Sequence, residues 1–179
     1  MFLTPSQADD IRDFQIEGIS IGDSLLDYFS IEEIKKEKYY EVEQKTDKEV
    51  AHFITDSNTG PYVTIKFSFK TNDKKYKILS ISGTMYADTN KCKNKRNKIV
   101  KEIDSLFKNL EKRHDPKRKH DFDKSSYIDG IAFMWSETEF IRIQCYDWSK
   151  KSGYPDQLRV EVVSDELYQW LLKLHKKFY

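Results

Sequence analysis

The sequence is short of most features that mark a familiar class. Its 179 residues include two cysteines, four prolines and six glycines. Two cysteines exclude a disulfide-dense scaffold and a four-cysteine zinc site. So little glycine and proline leaves no room for collagen-like or linker-rich architecture. No apolar run approaches the roughly 18 residues a membrane helix needs. His52, His114, His120 and His175 show no HxH, HxxxH or HExxH spacing. G-x-S-x-G, G-x-G-x-x-G and Walker patterns are missing too. No metal, cofactor or catalytic residue is therefore expected. Pro155-Asp156 followed by Glu161-Val162-Val163 is similar to the PD-(D/E)xK pattern of metal-dependent nucleases. Val163 stands where that chemistry needs a lysine, so a nuclease is rejected.

Aromatic residues and charge are abundant. Aromatics make up 14% of the chain and charged residues 34%. The aromatics argue against disorder, and the length suits one core. Residues 9–179 are read as a single α+β domain. Residues 1–8 are read as a signal-peptide remnant, because Ser6-x-Ala8 has the small-residue spacing of a signal-peptidase site.

Hydrophobic periodicity orders the elements. Ser24 or Asp23 should cap a short helix over Leu25, Leu26, Tyr28 and Phe29. Ser30 with Glu33 forms a capping box for a second. Glu41 to Glu49 reads as a loop, and Val50 to Thr55 as a strand. Val63, Ile65, Phe67 and Phe69 alternate with Thr64, Lys66, Ser68 and Lys70, which is a strand pattern. Its partner is expected at Tyr76 to Tyr86, with Leu79, Ile81 and Met85 on one face and Tyr76 and Ile78 on the other. A helix is predicted from about Asn94 to Lys112, ended by His114-Asp115-Pro116, with a polar loop over Lys117 to Ser126. Three strands follow, around Tyr127–Trp135, Ile141–Tyr146 and Leu158–Val162. Ser164 should cap a last helix striped by Leu167, Trp170, Leu171, Leu174 and Phe178. The expected order is α-α-β-β-β-α-β-β-β-α, with a mainly antiparallel sheet and helices on one face. A strand-hairpin-helix pattern recurs near 50–112 and 128–178.

The segment Ile16 to Ser30, IEGISIGDSLLDYFS, resembles uncharacterised bacterial proteins that carry signal peptides. Gly18-Ile19-Ser20-Ile21-Gly22-Asp23 also resembles the G-[MI]-[ST]-x-x-[DE] motif that opens the first helix in two exported families. These are the SmpA/OmlA-type outer-membrane assembly lipoproteins and the β-lactamase-inhibitor protein. The resemblance covers about the first third of the chain. It implies export to the periplasm or beyond, with a cytoplasmic location as the alternative, and it implies no activity. Cys92 and Cys145 are read as plain buried thiols, with a disulfide as the alternative.

Charge is segregated. Residues 1–60 hold 14 acids and 6 bases, and residues 61–124 hold 8 acids and 18 bases. The last third is nearly balanced. One expectation is that the basic middle pairs with the acidic first third. Lys91, Lys93, Lys95, Arg96, Lys98, Arg113, Lys117, Arg118 and Lys119 form a basic patch that would suit nucleic acid or another polyanion. Lysine dominates it, although arginine suits phosphate better. Tyr146, Trp148, Lys150, Lys151 and Tyr154 form a second candidate, an aromatic loop beside charge. The favoured function is a non-enzymatic exported module that binds or assembles with a macromolecule, a protein before a nucleic acid.

Overall fold

In a computed structural model of the protein, residues 10–39, 49–57 and 60–178 are described, with side chains to residue 173. The Ser6-x-Ala8 pattern and most of the Glu41–Glu49 stretch lie outside them. Eight strands form one sheet. They are β1 (Lys38–Tyr39), β2 (Val50–Asp56), β3 (Thr64–Lys70), β4 (Ile78–Tyr86), β5 (Glu111–Lys119), β6 (Tyr127–Met134), β7 (Phe140–Asp147) and β8 (Gln157–Val163). Their order is β1-β2-β3-β4-β8-β7-β6-β5, and every pairing is antiparallel. Each half of the chain supplies a four-stranded meander, and β4 and β8 join them. The fold is thus α+β with a mainly antiparallel sheet.

Three helices accompany the sheet: α1 (Ile31–Glu37), α2 (Thr89–Leu106) and α3 (Asp165–Phe178). Their starts follow capping chemistry. Ser30 Oγ accepts from the Glu33 amide, and the Glu33 carboxylate accepts from the Ser30 amide at 2.8 Å. Asp88 accepts from the Lys91 amide at 2.9 Å and starts α2 five residues before the expected Asn94. Leu25–Asp27 is a single 3-10 turn capped by Ser24 rather than an α-helix.

Alternate residues of each strand build two different faces. On one face Phe53, Phe67, Ile81, Val160, Ile143 and Phe133 form the main core. Ile16, Ile19, Ile21 and Leu25 of the N-terminal segment cover it over the first meander, with Ile34 of α1. Cys92 and Ile103 of α2 cover it over the second. Gly83 of β4 makes room for Tyr62 on this face, because a Cβ would lie 2.4 Å from the Tyr62 ring. On the other face Val50, Leu79, Ala132, Met134, Phe140 and Val163 pack against Leu167 and Trp170 of α3. Helices therefore lie on both faces, not one. The helices that follow the two meanders go to opposite sides, so the halves are not equivalent.

Other differences have local causes. β5 lies where the end of a helix and a polar loop are expected. Its sequence, EKRHDPKRK, has no apolar alternation because it is an edge strand, largely exposed on both sides. Charge and a proline-bearing register shift between Asp115 and Arg118 protect that edge from pairing with another chain. Phe107 caps α2, and Leu106 is exposed. β4 pairs with β3 through a shift at Ser68/Phe69, which places Ile78 with Ile81 and Met85 and turns Leu79 to the α3 side. Leu171 of the predicted α3 stripe is also exposed.

Cys92 and Cys145 are not free thiols. They form a disulfide with a Cα–Cα distance of 5.9 Å, linking α2 to β7 across 53 residues. The expectation of two buried thiols is corrected by geometry that only the packing of α2 on the sheet supplies.

Candidate functional site

The α3 face is covered at one end and open at the other. Its side chains form registered rungs across the strands. The rung beside α3 reads His52, Ser68, Ser80, Val163, Phe140 and Met134. The next reads Ile54, Lys66, Ser82, Glu161, Arg142 and Ala132. Beyond it come Thr64, Thr84, Arg159, Gln144 and Gly130, then Tyr86, Gln157, Tyr146 and Ile128. The outer rungs floor a groove of about 900 Å³.

The floor is a linked set of charges and amides. Arg142 donates to Glu161 at 2.7 Å. Burial pushes the Glu161 carboxyl up, but Arg142, Arg159 and Lys66 outweigh it and hold it below the usual carboxylate range. Tyr146 donates to Gln144 at 3.2 Å, and Gln144 reaches Asp115 at 3.4 Å. Gly130 makes room for this chain, since a Cβ there would sit 2.8 Å from Gln144 Cγ. Arg159 stacks over the Tyr146 ring at 4.7 Å.

Aromatic rings build one wall. His120 lies 4.6 Å from Trp148, 6.0 Å from Tyr146 and 5.7 Å from Phe122 between ring centroids. Tyr146 and Trp148 stack at 5.7 Å, and Tyr154 adds to Trp148 at 5.1 Å. His120 Nδ1 accepts from the Phe122 amide at 3.2 Å, so the ring is held neutral with its proton on Nε2. Burial pushes its pKa down, aided by Arg118 and Arg159 against the pull of Asp121 and Asp123. Asp123 accepts from Ser126 at 2.5 Å and Ser149 at 2.6 Å, and its carboxyl is held at about 2. These bonds tie the loop after β5 to the loop after β7. The groove's rim is exposed: Tyr86 by 55%, Tyr154 by 66% and Phe122 by 96%.

The expected aromatic site is thus divided. Tyr146, Trp148 and Tyr154 come together in the wall. Tyr146 is buried and Trp148 half-buried, so these two support the wall and Tyr154 presents its edge. Lys150 and Lys151 are exposed in the turn beyond the groove lining. The basic patch is spread over two elements. Lys91, Lys93, Lys95, Arg96 and Lys98 lie on α2, on the opposite side of the sheet from the groove. Arg113, Lys117, Arg118 and Lys119 lie on the β5 edge. Arg96 pairs with Asp129, Arg113 with Glu111 and Glu137, Lys117 with Asp147, and Lys91 with Asp88. With Lys70–Glu166, several bridges from the basic middle run to the C-terminal third, where the sequence had suggested the acidic first third. Arg118 alone of the nine patch residues lines the groove.

Lys66, Tyr86, His120, Phe122, Arg142 and Arg159 also line the groove, and no local sequence pattern marks them for it. Alternation placed the strand members outward, but register across non-neighbouring strands brought them together. Asp156, weighed for nuclease chemistry, accepts from the Trp148 amide at 2.8 Å and shapes the loop. A serine and a histidine do meet: Ser68 lies 2.9 Å from His52 Nδ1 and accepts from Ser80 at 2.8 Å. All three are buried, so substrate has no path to the hydroxyl. No group of three or more metal-ligating side chains gathers among the described residues. None of the described helices is long and apolar enough to cross a membrane. No family model, characterised protein or solved structure matches the chain.

Proposed function

We propose that the protein is an exported binding module that docks a partner protein in the groove and does no chemistry of its own. The observation that carries this reading is the rim. Tyr86, Phe122 and Tyr154 are the three most exposed large aromatic or apolar side chains described, and all three border the same groove. Exposed aromatics that cluster rather than scatter mark interaction surfaces. The Cys92–Cys145 disulfide supports work in an oxidising compartment. The nucleic-acid alternative through residues 91–119 draws less support, because five of its nine bases are paired with nearby carboxylates and the patch is split.

Site-specific photo-crosslinking in the cells that make the protein tests this. A photoreactive residue at Phe122 should yield a discrete protein adduct that disappears when Tyr86 becomes Ala. The same residue at Lys98, on α2, should yield none. Equal adducts at both positions would rule out the groove. Alkylation of intact cells before reduction reads the compartment: Cys92 and Cys145 should stay protected.

A further inference from the structure

A groove that docks a protein must also select its chemistry. Resting on the proposed docking, we infer that the groove accepts an acidic segment of the partner, with a carboxylate on the cationic floor and apolar flanks against the aromatic rim.

Charge on the floor is unbalanced. Arg142 and Arg159 both act on one carboxylate, Glu161, while Arg118 at the wall is bridged to Asp121 at 3.3 Å. Arg142 spends one guanidinium arm on Glu161, and its Nε is buried without an acceptor. Trp148 Nε1 is a second buried donor without one. Arg159 rests over the Tyr146 ring, its Cζ 4.7 Å from the ring centre, and forms no salt bridge among the described residues. A guanidinium fixed by a ring has lost much of its rotamer freedom already, so gripping a carboxylate costs it less. Donors in excess and acceptors already taken fit an anion, and the low-dielectric rings around them strengthen the attraction.

The rim favours a peptide chain over a nucleic acid. Asp121 and Asp123 border the groove beside Phe122. They would repel a continuous phosphate backbone but tolerate a single inserted carboxylate. Trp148 and Tyr146 also stack on each other, so their faces are less open to bases.

Selection from a random 12-residue peptide library against the full chain tests the inference. Enriched peptides should carry Asp or Glu next to an aromatic or aliphatic residue. Their affinity should fall tenfold or more with Arg159→Glu, and several-fold with Phe122→Ala, a side chain too exposed for its loss to unfold the protein. Thermal melting of both variants keeps a folding defect distinct. Groove-dependent peptides that are neutral or basic would overturn the acidic chemistry and leave the docking reading intact. No enriched peptide, or peptides indifferent to both variants, would overturn both. A 12-nucleotide single strand that binds more tightly than any selected peptide, and loses binding with Arg159→Glu, would replace protein by nucleic acid.

Discussion

The two faces of the sheet are written by alternate residues of the same strands, yet they behave as different materials. In β3, Ile65, Phe67 and Phe69 enter the main core, while Thr64, Lys66 and Ser68 face the other way. In β7, Ile141, Ile143 and Cys145 enter that core, while Arg142, Gln144 and Tyr146 line the groove. One face is apolar, closed by the N-terminal segment and α2, and locked by a disulfide. The other is half closed by α3 and otherwise left polar and aromatic. The difference separates stability from recognition within a single layer. A residue can be changed on one face while its sequence neighbour continues to hold the other.

Truncating one side chain on each face should have very different costs. Phe67→Ala should cost roughly 3–5 kcal/mol, since it opens a cavity in a filled core. Thr84→Ala on the groove floor should stay within about 0.5 kcal/mol. Urea unfolding of both variants measures the contrast, and similar losses would abolish the division. Next, Cys92→Ser with Cys145→Ser should cost roughly 2–4 kcal/mol, because the bridge restricts a long loop in the unfolded chain. Reductant should produce the same loss in the native protein and none in the double variant.

A smaller effect tests whether the groove floor is structural as well as receptive. Arg142→Met should cost about 2 kcal/mol, because it strands Glu161 among fewer donors. Arg142→Met with Glu161→Leu should regain most of that, since the stranded charge is gone. The pair also sets a pH dependence. The Glu161 carboxyl titrates lower in the folded protein than in the unfolded chain. Its contribution is therefore full above the unfolded value and fades as pH falls through the folded one. Arg142→Met should flatten that part of the acid-unfolding curve.

The smallest effect concerns the wall. Asp123 titrates near 2 in the folded protein against an ordinary 3.8. The ties to Ser126 and Ser149 should thus persist through the usual carboxylate range and loosen only as pH approaches 2. Amide NMR of Ser125, Ser126 and Ser149 should report one shared transition there. A midpoint near 4 would show that the loops are not joined through this carboxylate.

Much of the fold was legible because its signals are local. The Ser30–Glu33 box, the Thr71–Asp73 turn between β3 and β4, and alternation in β3, β6, β7 and β8 need only neighbouring residues. β5 was not legible, since an edge strand exposed on both sides has no apolar period to show. β1 was not legible because two residues carry no pattern. The site was half legible. Tyr146, Trp148 and Tyr154 lie within nine residues of one another, so proximity in sequence revealed them. Phe122 and Tyr86 sit in segments that gave no hint of joining them.

Local sequence pattern alone accounts for an α+β chain with an antiparallel sheet, an amphipathic last helix and a basic middle. It does so because periodicity, capping and charge act over a few residues. Tertiary structure alone decided which face α3 covers, that Cys92 meets Cys145, and that Arg142, Arg159 and Lys66 surround Glu161. Each of these depends on register between strands distant in the chain. That register is set by the whole core closing at once, and no local pattern records it.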